Sequence, residues 1–263
     1  MIASQLERSA GKIATPSNAS VPLSGSQGLS TSATQPRSAV MAGSSLQATV
    51  AFVGKGGSGK STTLTNLAVI AAQAGYTVGI IDCDPQRSSF EWQRVRNRTD
   101  IRLCRCGESE IEQNIALARR CGIEIVLIDM PPGARHALAA ARCADLVIVP
   151  TRPTLFDLRV THSIVQLLRS TQAAYAIIIN AAPPRRRDGD APAVREAREA
   201  LAPVARRVWP RQITHRLAVV YATLSGAGVA EAEPAGVAAQ EYAALWNALS
   251  ADLNLIAGVQ NVP

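Results

Sequence analysis

Gly54-Lys55-Gly56-Gly57-Ser58-Gly59-Lys60-Ser61 sets glycines, a lysine and a hydroxyl at the G-x-x-x-x-G-K-[ST] spacing that grips phosphate. Glycines let backbone N–H groups turn inward around phosphate oxygens, and a helix starting after the loop adds a favourable dipole. Lys60 can then reach the β- and γ-phosphates, and Ser61 can ligate Mg²⁺. Two acidic elements follow. An apolar run from Val78 to Ile81 ends in Asp82-Cys83-Asp84-Pro85-Gln86, and a second, Ile123 to Ile128, ends in Asp129-Met130-Pro131-Pro132-Gly133. Parallel sheets bind ligands at the carboxyl ends of their strands, so these carboxylates stand where a nucleotide and its metal would lie. An aspartate near a proline also caps helices and turns, and that reading stays open for Asp82 and Asp84.

The basic residues carry a second signal. Only Lys12, Lys55 and Lys60 are lysines among the 27 Lys plus Arg, and two of the three fall in the glycine-rich loop. A chain that writes other basic positions as arginine keeps an ammonium at 55 and 60. For Lys55 the alternative is an ordinary solvated lysine.

The elements that would position these groups alternate. Strands are expected at 48–53, 77–82, 101–103, 123–129, 144–149 and 174–180. Helices are expected at 60–74, 87–97, 108–120, 135–142 and 156–171, then, past the loop AAPPRRRDGD, at 192–202, 217–225 and 235–250, with a short strand at 207–209. Continuous apolar runs at 123–129, 144–149 and 174–180 suit parallel strands buried on both faces. The expected class is α/β: a P-loop NTPase with a central, mostly parallel twisted sheet and helices on both faces.

The loop K-G-G-x-G-K-[ST] with Lys55, the D-x-D-P-Q element at 82–86 and the strand ending in Asp129-Met130-Pro131-Pro132-Gly133 together resemble the ParA/MinD family of ATPases. The stretches Ala144–Asp157 and Ile177–Asn180 extend the similarity over about 48–250. The resemblance implies ATP and Mg²⁺ as cofactors and a nucleotide-sandwich homodimer. It implies phosphate contacts from Gly54, Gly56, Gly57, Ser58, Gly59, Lys60, Ser61 and Thr62, with Lys55 reaching the nucleotide of the partner subunit. It also implies Ser61, Asp82 and Asp129 around the metal and Asp84 positioning the attacking water. Met130 stands where the family usually has Thr and removes a hydroxyl. Asn180 matches an adenine-reading position, and a turn-forming Asn fits equally.

The similarity is to short plasmid-type ParA proteins without an N-terminal helix-turn-helix, which implies non-specific DNA binding, a ParB-like centromere-binding partner and plasmid or chromosome partitioning. A scaffold or positioning ATPase with a protein cargo and no DNA binding is the alternative. Arginines crowd the segment from Arg185 to Arg216, and Arg206, Arg207, Arg211 and Arg216 are the candidate DNA contacts. Interspersed Asp188, Asp190, Glu196 and Glu199 make a merely solvated surface the competing reading.

Composition excludes other classes. Five cysteines form no C-x-x-C pair, which argues against a disulfide framework and a zinc site. The N-terminus lacks an apolar signal core and no run of 18 apolar residues occurs, so neither export nor a membrane span is expected. After Arg216 the sequence contains no Lys or Arg, unlike the basic amphipathic helix that holds a membrane ATPase on lipid. Residues 1–46, rich in Ser, Ala, Thr and Gly without an aromatic, read as a disordered tail, with Met41 an alternative start, ahead of a ParA-like domain at 47–263. The expected location is the cytoplasm, on the nucleoid in the ATP state.

Overall fold

The computed structural model describes residues 47–205 and 207–260, with side chains to 254. The tail expected at 1–46 lies outside the described residues.

Six strands form one sheet: β1 (Ala48–Phe52), β2 (Val78–Asp82), β3 (Ile101–Arg105), β4 (Ile125–Asp129), β5 (Leu146–Thr151) and β6 (Tyr175–Ile179). They lie in the order β3-β2-β4-β1-β5-β6, and every pairing is parallel. The helices are α1 (Lys60–Gln73), α2 (Ser88–Arg96), α3 (Ile111–Arg120), α4 (Ala137–Cys143), α5 (Leu155–Ser170), α6 (Pro192–Leu201), α7 (Leu217–Leu224), α8 (Val229–Ala232) and α9 (Val237–Gln260).

The apolar strand runs are explained by which face each residue serves. Val50, Phe52, Ile80, Leu127, Ile148 and Ile178 pack with Leu64, Leu67, Trp92, Tyr242 and Trp246 on one side. Their sequence neighbours Ala51, Val53, Ile81, Ile128, Val149 and Ile177 pack with Ile111, Ala140, Ile164, Val165 and Leu168 on the other. With period-two side-chain alternation and helices on both faces, consecutive positions of the inner strands are apolar, while edge strand β3 carries exposed Arg102 and Arg105.

Three sequence expectations change. Residues 207–209 form no strand among the described residues: Val208 makes a single bridge to Ile177, and Pro210 then interrupts any further ladder. The helices expected at 108–120 and 135–142 each begin with a 3₁₀ turn, Glu108–Glu110 before α3 and Ala134–His136 before α4. The short helix α8 was not foreseen; it is capped where the Gly228 N–H donates to Glu231 Oε2 at 3.0 Å.

Candidate nucleotide site

Sheet order assembles the site. The chain runs outward from β1 to β2 and β3, then returns to place β4 between β1 and β2, so Asp129 sits in register with both Phe52 and Asp82. The glycine-rich loop leaves the end of β1 beside these carboxylates, at the point where the strand order reverses.

The loop's backbone leaves little choice of residue. Gly57 and Gly59 have φ of 77° and 92°, a region that favours glycine. A Cβ on Gly59 would stand 2.1 Å from Asn180 Nδ2. That amide nitrogen donates to the Ser58 carbonyl at 2.7 Å, so Asn180, at the end of β6, braces the phosphate loop from across the sheet. Asn180 also lines a cavity of about 210 Å³ with Gly57, Ser58, Gly59, Thr62, Arg152, Arg216 and Tyr242.

The three carboxylates differ in what remains free. Asp82 is fully committed to backbone: Oδ1 accepts from the Asp84 N–H and Oδ2 from the Phe90 N–H, both at 3.0 Å, tying β2 to the first turn of α2. Burial raises its pKa, with those two N–H groups opposing. Asp84 Oδ1 accepts from the Gln86 N–H at 2.9 Å, and its Oδ2 lies 4.0 Å from Lys60 Nζ. Asp129 is completely buried; Oδ2 accepts from the Ser89 hydroxyl at 2.7 Å, while Oδ1 has no hydrogen-bond partner. Burial pushes its pKa up to about 6, opposed by the Ser61 and Ser89 hydroxyls and by Lys60.

An acceptor buried without a donor is costly unless something fills it. The Asp129 carboxylate with its open Oδ1, and the Ser61 hydroxyl that acts on that carboxylate, offer hard oxygens of the kind Mg²⁺ takes, and Ser58 Oγ in the loop is another buried atom without a partner among the described residues. The donor set therefore fits Mg²⁺ and a phosphate chain. Asp82 fits an outer role, since both its oxygens already accept from the backbone.

Lys55, the loop's other lysine, is 3.1 Å from Asp157 Oδ2. Asp157 lies in the first turn of α5, is buried, and also accepts from the Thr154 hydroxyl at 2.7 Å. Sequence reasoning gave no role to Asp157 or Ser89: Asp157 closes the stretch Ala144–Asp157 that extends the resemblance, Ser89 sits in no motif, and each reaches the site from a helix start. Met130 is fully buried and packs in the second apolar cluster, so it serves the core there.

The arginine run does not form one patch. Arg216 lines the cavity and pairs with Glu241 at 3.1 Å, near the carboxyl end of β6. Arg207 lies by the amino end of that strand, pairs with Asp252 and borders a separate cavity with Arg169 and Tyr175. Arg211 is exposed, and its carbonyl accepts from Arg198 at 2.9 Å. Arg206 lies outside the described residues. No helix among the described residues is long and apolar enough to cross a membrane.

Residues 49–188, more than half of the chain, match the CobQ/CobB/MinD/ParA nucleotide binding domain. The chain belongs to this family. Its domain is that of the ParA/MinD P-loop ATPases, and the six-stranded parallel sheet is theirs. Among curated relatives, the maintenance of carboxysome distribution protein A of Gloeobacter kilaueensis is 36% identical over 109 residues, 41% of this chain and 50% of the relative. Protein ParA of Rhizobium radiobacter is 32% identical over 123 residues, 46% of this chain and 55% of the relative. The chain thus spans about half the length of the curated relatives it matches. Pyrococcus horikoshii MinD in complex with Mg-ADP shares the fold with a TM-score of 0.61 at 16% identity, covering 78% of this chain and 96% of that one. Cyanothece apo McdA does so with a TM-score of 0.61 at 15% identity, covering 70% and 92%.

Proposed function

We propose that this chain is a Mg²⁺-dependent ATP hydrolase that ATP converts from monomer to sandwich dimer, and that the dimer binds DNA non-specifically to partition a plasmid or chromosome with a ParB-like partner. The observation that carries the ATPase reading is the buried, unpartnered Asp129 Oδ1 at the Ser61 end of the P-loop. Magnesium bound there by Ser61 and Asp129 would neutralise charge on the β- and γ-phosphates.

The chain's own residues do the rest. Backbone N–H groups of 56–60 cradle the phosphates, and Lys60, whose Nζ lies 4.0 Å from Asp84, serves the β- and γ-phosphates when ATP binds. With Lys60 on the phosphates, Asp84 Oδ2 orients the attacking water, while the Gln86 N–H keeps Oδ1 in place. Lys55 exchanges Asp157 for the γ-phosphate bound by the partner subunit, which makes dimerisation depend on ATP. The 32% identity to a ParA supports the DNA-partitioning role, which would hold the ATP state on the nucleoid.

A second reading has its own support. Similarity to a carboxysome-distribution protein, together with arginines already paired to Glu241 and Asp252, favours positioning of a protein cargo. Binding to non-specific duplex DNA, measured with ADP, ATP and a non-hydrolysable analogue at two salt concentrations, separates the two. Salt-sensitive binding only with ATP or the analogue is expected for the partition ATPase. Absence of binding in every state selects the protein-cargo reading.

A further inference from the structure

Four cations ring the mouth of the phosphate loop, and three have acidic counterparts within the chain. Lys55 pairs with Asp157 at 3.1 Å, Lys60 faces Asp84 at 4.0 Å, and Arg216 pairs with Glu241 at 3.1 Å. The fourth, Arg152, has no ion pair and no side-chain hydrogen bond among the described residues. Its guanidinium nonetheless lies over the loop: Nη2 is 3.6 Å from where a Cβ on Gly57 would be, and the side chain lines the same cavity as Ser58, Gly59 and Thr62.

The backbone beneath Arg152 is held firmly. Its carbonyl accepts from the Thr154 N–H at 2.8 Å and from the Thr151 hydroxyl at 3.3 Å, and Pro153 limits the next φ. Thr151, the buried last residue of β5, accepts from the Asn180 N–H at 2.7 Å, so Arg152 and the Asn180 brace share one support. A rigid strand end therefore carries an unneutralised guanidinium to a loop already occupied by Lys60. Among the described residues that placement adds like-charge repulsion and gains no acidic partner. Its complement is an anion in the cavity.

We propose that Arg152 binds the phosphate chain of the nucleotide held in its own subunit, using the planar fork of its guanidinium. This rests on the nucleotide-binding reading and adds to it a fourth cation, in cis, outside the P-loop motif. Arg152 then contributes to MgADP as well as MgATP, and does so in the monomer, unlike Lys55.

The test uses the full chain and calorimetric titration with MgADP, tripolyphosphate and adenosine. Arg152→Ala is expected to weaken MgADP and tripolyphosphate roughly ten- to a hundredfold and leave adenosine unchanged, with Arg152→Lys recovering part of the loss. Arg120→Ala, an exposed arginine at the end of α3, serves as the charge-matched control. Wild-type affinity for MgADP and tripolyphosphate in Arg152→Ala would overturn the proposal. So would a variant that binds nucleotide normally as a monomer and fails only to dimerise, because the contact would then be in trans. A wild-type protein that binds none of the phosphates would overturn the nucleotide reading itself, and this inference with it.

Discussion

At the scale of single residues, burial decides what each carboxylate can do. Asp129 has its pKa raised to about 6 from an ordinary 3.8, so between these values the folded protein binds more protons than the unfolded one. Stability of the nucleotide-free and metal-free protein therefore falls as pH rises through this window. Thermal melts across pH 4 to 7 in a chelator should show the decline, and Asp129→Asn should flatten it. Mg²⁺ in the presence of ADP should reverse the trend above pH 6, since the metal takes the ionised carboxylate. Asp84 gives a separate prediction. Asp84→Ala should retain ATP-dependent dimers and lose phosphate release by two orders of magnitude or more; unchanged turnover would remove Asp84 from the chemistry.

At the scale of elements, the site depends on how α2 is anchored. Its start is tied to β2 through the Phe90 N–H and Asp82. Its end is tied to α8 through Arg96, whose side chain is 1% exposed and whose Nη atoms donate to both oxygens of Glu231 at 2.7 Å. Glu231 in turn accepts from the Gly228 N–H, and the Arg96 Nη1 donates to the Gly226 carbonyl at 3.1 Å. Removing Glu231 leaves a buried guanidinium with Asp100 as its remaining acid. Glu231→Ala should cost about 3 kcal/mol, read as a lower urea midpoint with an unchanged slope. Glu91→Ala, which breaks the solvated pair with Arg94 on the same helix, should cost under about 1 kcal/mol. Equal losses would mean that the Arg96 cluster does not anchor α2.

At the scale of the whole molecule, the ion pair between Lys55 and Asp157 links the phosphate loop to α5, and in the proposed dimer it sets a cost on dimerisation. In the proposed dimer Lys55 must leave Asp157, which is 5% exposed and keeps the Thr154 hydroxyl as a donor; Lys55 itself is 40% exposed, so the cost falls mainly on the buried carboxylate. Asp157→Asn should lower the protein concentration needed for ATP-dependent dimers by roughly two- to fivefold in sedimentation experiments. A variant that dimerises less readily would show instead that Asp157 is needed within the dimer. The arginine run divides at this scale too. The backbone of Arg207 runs beside Ile177 in β6 and its side chain borders a cavity at Ala174 and Tyr175, whereas Arg216 lines the nucleotide cavity beyond the other end of the strand, so the two do not form one patch.

Much of this was legible in the linear sequence because it is local chemistry. Gly57 and Gly59 must be glycines for the loop to turn, Lys60 and Ser61 must follow them, and the strand runs must be apolar at consecutive positions once both faces are covered. The order of strands and helices, and the aspartates at strand ends, follow from the same periodicity. Which aspartate keeps a free oxygen does not. Asp82 and Asp129 look alike as strand-end acids, yet Asp82 meets two backbone N–H groups from the start of α2, while Asp129 meets hydroxyls and keeps Oδ1 open. The partners of Lys55 and Arg216, and the lack of one for Arg152 among the described residues, likewise depend on residues far apart in the chain. Spacing encodes only what neighbours in the chain can do to one another. The sheet order that inserts β4 between β1 and β2, and carries β5 to the other side of β1, determines which distant groups meet.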